Sequence, residues 1–395
     1  MEEAECRKGI AMKNISENNI FRDFLNTWNF NEKYLIYGTS NTANSLLKKI
    51  GKELEIIGFL DSNPAKWGKN FAGYSIYSKD EWKKQYFNYK IIVASGAYTE
   101  IRDFLLNEGL EEQVDFCDSR FLIGCYFAAR YNKVYFYRTD ISITEYCNLR
   151  CEKCNMVSPY FKNPKHRELE CLKEDVDCYF RWVDSVQLFN ILGGEPFIHP
   201  QVEKFTEYVC KRYGNKIEQI VFFTNGIAKL QESMLELMKK YNIEVQVSDY
   251  RNGLPQIGKK VDEFIQKLEQ YGISYRRNID NEWLDFGFPD YCNEKMSDEE
   301  LISFFDKCYS PFRGLSNKKL YYCHLNTAAV CAGLFEENVN DYFDLAEFED
   351  DRKSELIKFD LGYTNLGYIT YCKKCKGCFA VNSDYTDVAR QLNKK

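Results

Sequence analysis

The sequence predicts an α/β protein with an N-terminal Rossmann-like parallel sheet, a central partial (β/α)6 barrel and a small cysteine-rich extension. Two observations carry this. Short apolar, β-branched runs alternate with helical patterns along most of the chain, and strands separated by helices pair in parallel. From about residue 301 that alternation gives way to six cysteines, Cys308, Cys323, Cys331, Cys372, Cys375 and Cys378. At 395 residues there is room for two or three domains, each with its own core.

Residues 1–31 read as a helical lead-in with Phe21, Phe24, Leu25 and Trp28 on one face. The segment 32–125 reads as the Rossmann-like domain, with strands at Tyr34–Tyr37, Glu55–Leu60 and Ile91–Ala94 and helices over 42–50 and 99–107. Its first turn, Gly38-Thr-Ser-Asn-Thr-Ala43, keeps only the first glycine of a G-x-G-x-x-G pattern; Ser40 and Ala43 replace the others. Loss of the middle glycine counts against NAD or another nucleotide, because that glycine lets the backbone approach a pyrophosphate. Asp61, ending the second strand, stands where a ribose-binding acid belongs. Both readings, a nucleotide site and a module that binds none, stay open. The wording Ile57-Gly-Phe-Leu-Asp-Ser-Asn-Pro64 resembles the N-terminal domains of sugar-modifying and surface-glycan enzymes. Around Arg120–Lys133 the pattern breaks, which marks the domain junction.

A second series runs from 134 to 300. Strands are predicted at 134–144, 186–192, 217–223, 244–247 and 273–276, with helices over 175–183, 201–212, 230–241 and 261–271. Directly after its first strand come Cys147, Cys151 and Cys154, a C-x3-C-x2-C spacing. Soft thiolates select iron–sulfur clusters or zinc, and a [4Fe–4S] cube takes four cysteines from the chain. A three-cysteine loop therefore implies a remote fourth ligand, an iron left open for a small molecule, or half of a zinc site.

Composition narrows the classes. A net charge of −6 disfavours nucleic acid and anionic membranes as partners, both of which need basic surface. No apolar run is long enough to cross a bilayer, and the acidic start Met1-Glu-Glu-Ala-Glu is unlike a signal peptide. The expectation is a cytoplasmic protein whose sixteen cysteines are thiols and metal ligands.

From Val134 onward the residues resemble the radical SAM superfamily. Besides the three cysteines, Gly193-Gly194-Glu195-Pro196 after the second barrel strand matches that family's GGEP motif, and Thr224-Asn225-Gly226 and Ser248-Asp249-Tyr250 end the third and fourth strands. The resemblance implies that Cys147, Cys151 and Cys154 hold a [4Fe–4S] cluster with an open iron. It further implies that Gly193, Gly194, Glu195, Pro196, Thr224, Asn225 and Ser248 surround S-adenosylmethionine (SAM). One departure is Lys153, where many members place an aromatic residue that packs on adenine; its aliphatic stem could serve instead.

The later cysteines resemble a twitch extension, a smaller relative of SPASM, on Cys308-x14-Cys323 and Cys372-x2-Cys375. That implies a second, auxiliary [4Fe–4S] cluster on Cys308, Cys323, Cys372 and Cys375, with Cys378 an alternative ligand and Cys331 a spare; a four-cysteine zinc site fits the spacing too. The family's glycine five residues before the second ligand is Lys318 here. Arg150, Tyr160 and His166 are candidates for proton handling near the first loop. His199 reads as a hydrogen-bonded structural histidine.

The function expected is a radical SAM oxidoreductase-type enzyme, a dehydrogenase or epimerase that removes a hydrogen from a small carbohydrate or nucleotide-linked sugar. Its electrons would come from a reductase, flavodoxin or ferredoxin. The alternatives are a maturase of ribosomally made peptides and, in another class, a non-catalytic iron–sulfur or zinc redox sensor.

Overall fold

The structure is a computed structural model that describes residues 27–28, 31–293, 295–308, 312–378 and 381–392. Most of the expected lead-in, 1–31, lies outside the described residues. The chain divides into two compact units that meet between Tyr135 and Phe136.

In the first unit, β1 (Lys33–Tyr37), β2 (Glu55–Leu60), β3 (Asn70–Phe71), β4 (Tyr74–Tyr77), β5 (Lys90–Val93) and β6 (Phe116–Asp118) form one sheet in the order β3-β4-β2-β1-β5-β6. All its pairings are parallel except β3 with β4. Helices α1 (Asn41–Ile50) and α2 (Tyr98–Asn107) stand where the pattern predicts them. The break expected at Arg120–Lys133 is instead a helix, α3 (Ser119–Tyr131). Asp118 caps it by accepting from the Arg120 amide at 2.8 Å, and it buries Leu122, Ile123, Cys125 and Tyr126. The apolar residues are contiguous and not spaced at a helical period, so the pattern carried no period to read.

The second unit carries β7 (Tyr135–Ser142), α4 (Leu169–Trp182), β8 (Ser185–Leu192), α5 (Val202–Tyr213), β9 (Ile217–Thr224), α6 (Glu232–Lys240), β10 (Glu244–Asp249), α7 (Gly258–Tyr271) and β11 (Tyr275–Ile279). Strands β8 to β11 pair in parallel, each to the next. Helix α4 buries Leu172, Val176, Tyr179 and Trp182, apolar positions at helical spacing, each worth about 2 kcal/mol of transfer energy when fully covered.

The strand after β11 does not extend the sheet. Instead β12 (Glu282–Leu284) pairs antiparallel with β16 (Tyr385–Asp387), and helix α8 (Asp298–Lys307) follows. The other edge of β7 takes β13 (Arg313–Ser316) in parallel, then β14 (Lys319–Tyr321) and β15 (Tyr342–Asp344) in antiparallel, giving the order β11-β10-β9-β8-β7-β13-β14-β15. The cysteine-rich part thus shares the barrel's sheet. Helices α9 (His324–Cys331) and α10 (Lys353–Asp360) complete it.

The β13–β14 hairpin explains Lys318. Its two turn residues, Asn317 and Lys318, sit at φ 51° and 59°, the left-handed region a glycine would favour. Buried Asp175 of α4 supplies what glycine would have spared: its carboxylate accepts from the Asn317 and Lys318 amides at 3.0 and 2.6 Å and pairs with Arg167 at 2.5 Å. Removing it strands two backbone amides and takes the carboxylate from a half-buried guanidinium. Asp175→Ala should therefore cost about 3 kcal/mol in denaturant unfolding, more than Lys318→Ala, whose side chain is on the surface.

Candidate active site

The site is built at the ends of β7, β8 and β9, where the strands release their loops. Gly194 N donates to Thr144 O and Glu195 N to Tyr146 O, both at 2.8 Å, so the two loops zip together by main chain. That approach requires glycine: a Cβ on Gly193 would stand 2.6 Å from the Thr144 carbonyl, and one on Gly194 would overlap the Tyr146 carbonyl.

Glu195 does not face open space. It is fully buried, and its carboxylate accepts from Thr224 Oγ1 (2.8 Å), Asn225 N (2.9 Å) and Phe197 N (3.2 Å). Burial lifts its pKa to about 7, while these donors pull it back down. Its role is to tie the β8 loop to the end of β9. Pro196 is also buried and opens a short 3-10 turn.

The three-cysteine loop packs against these ends. Asn225 Nδ2 bonds Asn148 Oδ1 at 2.6 Å and lies 3.8 Å from Cys147 Sγ. Leu149 N donates to Cys147 Sγ at 3.4 Å, and Cys151 is buried. Burial raises all three thiols, Cys147 and Cys151 to about 12, so without a bound cation they hold their protons. Burial raises the Tyr250 phenol, with the nearby thiols adding to it, and the ring bonds Ser248 and stacks edge-on against Trp283. Lys153 turns elsewhere: its ammonium donates to Phe288 O at 2.8 Å and lies 3.5 Å from Asp285.

A cavity of about 500 Å³ opens beside Gly193 and Gly194. Its walls carry Ser142, Thr144, Glu145 and Ser158 on one side, and Ser316, His324, Thr327 and Cys331 from β13 and α9 on the other. Cys331, a spare ligand by spacing, therefore belongs to this wall. Asp140 forms its floor, bound to Arg138 at 2.7 Å and Asn190 at 2.6 Å. None of Arg150, Tyr160 and His166 lines it: Arg150 is exposed, Tyr160 donates to Glu152 O, and His166 bonds Thr144 Oγ1. His199 is structural, bonded to Arg167 O and Gln201 N.

A second cavity of about 370 Å³ is ringed by Cys308, Cys323, Cys372, Cys375 and Cys378, with only apolar and aromatic neighbours besides Gly377. The twitch resemblance implies four of these, with Cys378 an alternative; folding brings all five together. Among the described residues, no three His, Cys, Asp or Glu side chains form a single-ion site. Soft donors around a void that no side chain fills are a donor set that suits an iron–sulfur cluster or zinc. In the first unit Asp61 is already engaged by Lys66 (2.8 Å) and Thr39 (2.5 Å), and nothing there supports NAD. No described helix is long and apolar enough to cross a membrane.

Parts of the chain are similar to known proteins. Residues 141–274 match the family model "Radical SAM superfamily", and 30–114 match "C2185-like, N-terminal". The bacteriocin subtilosin biosynthesis protein AlbA of Bacillus subtilis (strain 168) is 32% identical over 27% of this chain and 22% of its own length. A GTP 3',8-cyclase of Clostridium botulinum (strain Langeland) is 27% identical over 60% of this chain and 75% of its own. The solved structure "Native anSMEcpe with bound AdoMet" aligns at 22% identity over 36% of this chain and 43% of that one, with TM-score 0.31. The match to AlbA thus spans under a quarter of that protein.

Glu195→Gln keeps the shape of the buried side chain but, whichever way the amide is turned, sets an NH2 against a backbone N–H, that of Phe197 or Asn225. It should cost about 2 kcal/mol in urea unfolding, with Glu195→Asp failing to restore it because the shorter chain cannot span both strand ends. Residues 141–274 carry a radical SAM domain.

Proposed function

We propose that this chain is an enzyme that reductively cleaves SAM and uses the resulting radical to oxidise or epimerise a carbohydrate or nucleotide-linked sugar, oxidation being the reading its geometry supports best. Cys147, Cys151 and Cys154 would hold the open-iron cluster, and Gly193, Gly194, Thr224, Asn225 and Ser248 would surround SAM. Glu195 would act from behind by fixing the loop. When bound, these cofactors supply one electron and a 5′-deoxyadenosyl radical that takes a substrate hydrogen atom.

The observation that carries oxidation is a pair of consecutive residues. Cys323 lines the five-thiol ring and His324 lines the cavity beside Gly193 and Gly194. A substrate in that cavity lies one peptide unit from an auxiliary cluster held by four of the five thiols. Converting an alcohol carbon to a carbonyl removes one hydrogen atom, one electron and one proton. The atom goes to the deoxyadenosyl group, the electron toward the ring, and the proton to a carboxylate of the wall such as Glu145. The hydroxyls and carboxylates of the wall suit a polyhydroxyl substrate, each good pairing being worth about 1 kcal/mol. A reductase, flavodoxin or ferredoxin would deliver the first electron.

A peptide substrate is the second reading, and the partial likeness to the bacteriocin biosynthesis protein AlbA favours it. Product mass separates the two: loss of two hydrogens from a nucleotide sugar supports the first, and a modified peptide the second.

Anaerobically reconstituted protein given dithionite and SAM should release 5′-deoxyadenosine, and Cys151→Ala should abolish that release. No release from the unmodified chain under any reductant would overturn the proposal. Iron content should be about eight per chain, two cubes, and Cys372→Ala should lower it to about four while 5′-deoxyadenosine still forms. About four irons with bound zinc in the unmodified chain would instead assign the ring to zinc.

A further inference from the structure

The segment after β16 runs back across the three-cysteine loop. Glu152 N donates to Arg390 O at 2.7 Å and Leu392 N to Arg150 O at 2.8 Å, an antiparallel bridge centred on Cys151 and Gln391. Arg390 adds an exposed ion pair with Glu152 at 3.2 Å. Upstream, a Cβ on Gly253 would overlap the Val388 carbonyl, so the segment is also pressed onto the loop after β10.

Gln391 occupies the centre of this bridge. Its Oε1 accepts from the Arg150 amide at 2.7 Å, and its Nε2 lies 2.7 Å from Ala389 O and 3.1 Å from Cys151 Sγ. A backbone N–H can only donate and a carbonyl can only accept. The side-chain amide therefore has one orientation, with one N–H on the Ala389 carbonyl and the other on the sulfur.

We propose that residues 385–392 form a strap over the cysteine loop, and that Gln391 is a positioning residue whose N–H to Cys151 sets the reduction potential of the cluster held there. The inference rests on the reading of Cys147, Cys151 and Cys154 as cluster ligands. Reduction adds negative charge that spreads onto the thiolate sulfurs. A donor fixed on one of them stabilises the reduced state more than the oxidised one and raises the potential. The strap also keeps water from Cys151, which is 6% exposed.

The test is a redox titration of the full reconstituted chain followed by electron paramagnetic resonance, with the first cluster recognised as the signal that changes when SAM is added. Gln391→Leu should keep its iron and titrate at a lower potential than the unmodified chain. Gln391→Glu, which keeps the acceptor for the Arg150 amide and loses the donor, should also titrate lower, and it decides the matter if Gln391→Leu assembles no cluster. A SAM-responsive signal whose potential is the same in the unmodified chain and the variants overturns the role of Gln391 and leaves the cluster reading standing. Absence of any SAM-responsive signal in the unmodified chain overturns both.

Discussion

The second unit depends on one close approach, that of the Gly193–Gly194 backbone to the backbone of Thr144–Tyr146. Two main-chain hydrogen bonds hold it, and no side chain fits between. Because Gly194 also abuts Cys147, the position of the cysteine loop follows from that zip. Glu195, one residue on, carries the same constraint to β9 through Thr224 and Asn225. Asn225 then returns to the cysteine loop through Asn148. Three strand ends are thus closed into one ring of contacts, with a buried carboxylate where a loop alone would drift.

The cysteine-rich part is joined to this ring by the sheet itself. Strand β13 lies against β7, so the far wall of the cavity is fixed by the same strand that launches the three-cysteine loop. Asp175 fastens the hairpin from the other side, bridging α4 to the Asn317–Lys318 turn. Residues following the loop, Met156, Val157, Tyr160 and Phe161, pack into the core that also contains Cys323, Cys372 and Cys375. Lys153, in place of an aromatic residue, extends the link: it reaches Asp285, whose carboxylate also binds Lys376 beside Cys375. An expectation built around adenine is answered by a tether between the two cysteine sites.

What could be read from sequence was the chemistry that is local along the chain. Cysteine spacing, Gly-Gly-Glu-Pro and the alternation of strands and helices each lie within a few residues, and the strands predicted from 186 to 247 stand within two residues of where they form. What could not be read depends on partners far apart in the chain. Gln391 meets Cys151 across 240 positions, and no periodicity announces such a bridge. Glycine was the expected signal at the β13–β14 turn, yet a carboxylate from α4 makes the same turn affordable for lysine. Cys331 and Cys378 show the limit of spacing most plainly. One lines the cavity and the other the thiol ring, and only the fold of 312–378 tells them apart.

Four buried thiols and the half-buried Cys308 around an apolar void set a physical problem of their own. Burial pushes Cys372 and Cys375 well above the usual thiol range; the hydrogen bond Cys378 gives to Cys308, with burial behind it, raises Cys378, and the same pairing pulls Cys308 below that range. A ring of that kind cannot carry four thiolates unless bound metal cations compensate them. The fifth thiol need not be a ligand. It can bond a coordinated sulfur without coordinating, as the Cys378 amide already does to Cys308 at 3.3 Å. At the other cysteine site Gln391 makes the same kind of contact to Cys151. In both places the chain sets a hydrogen-bond donor against a sulfur that would ligate iron, the arrangement by which a protein tunes a cluster without adding a ligand.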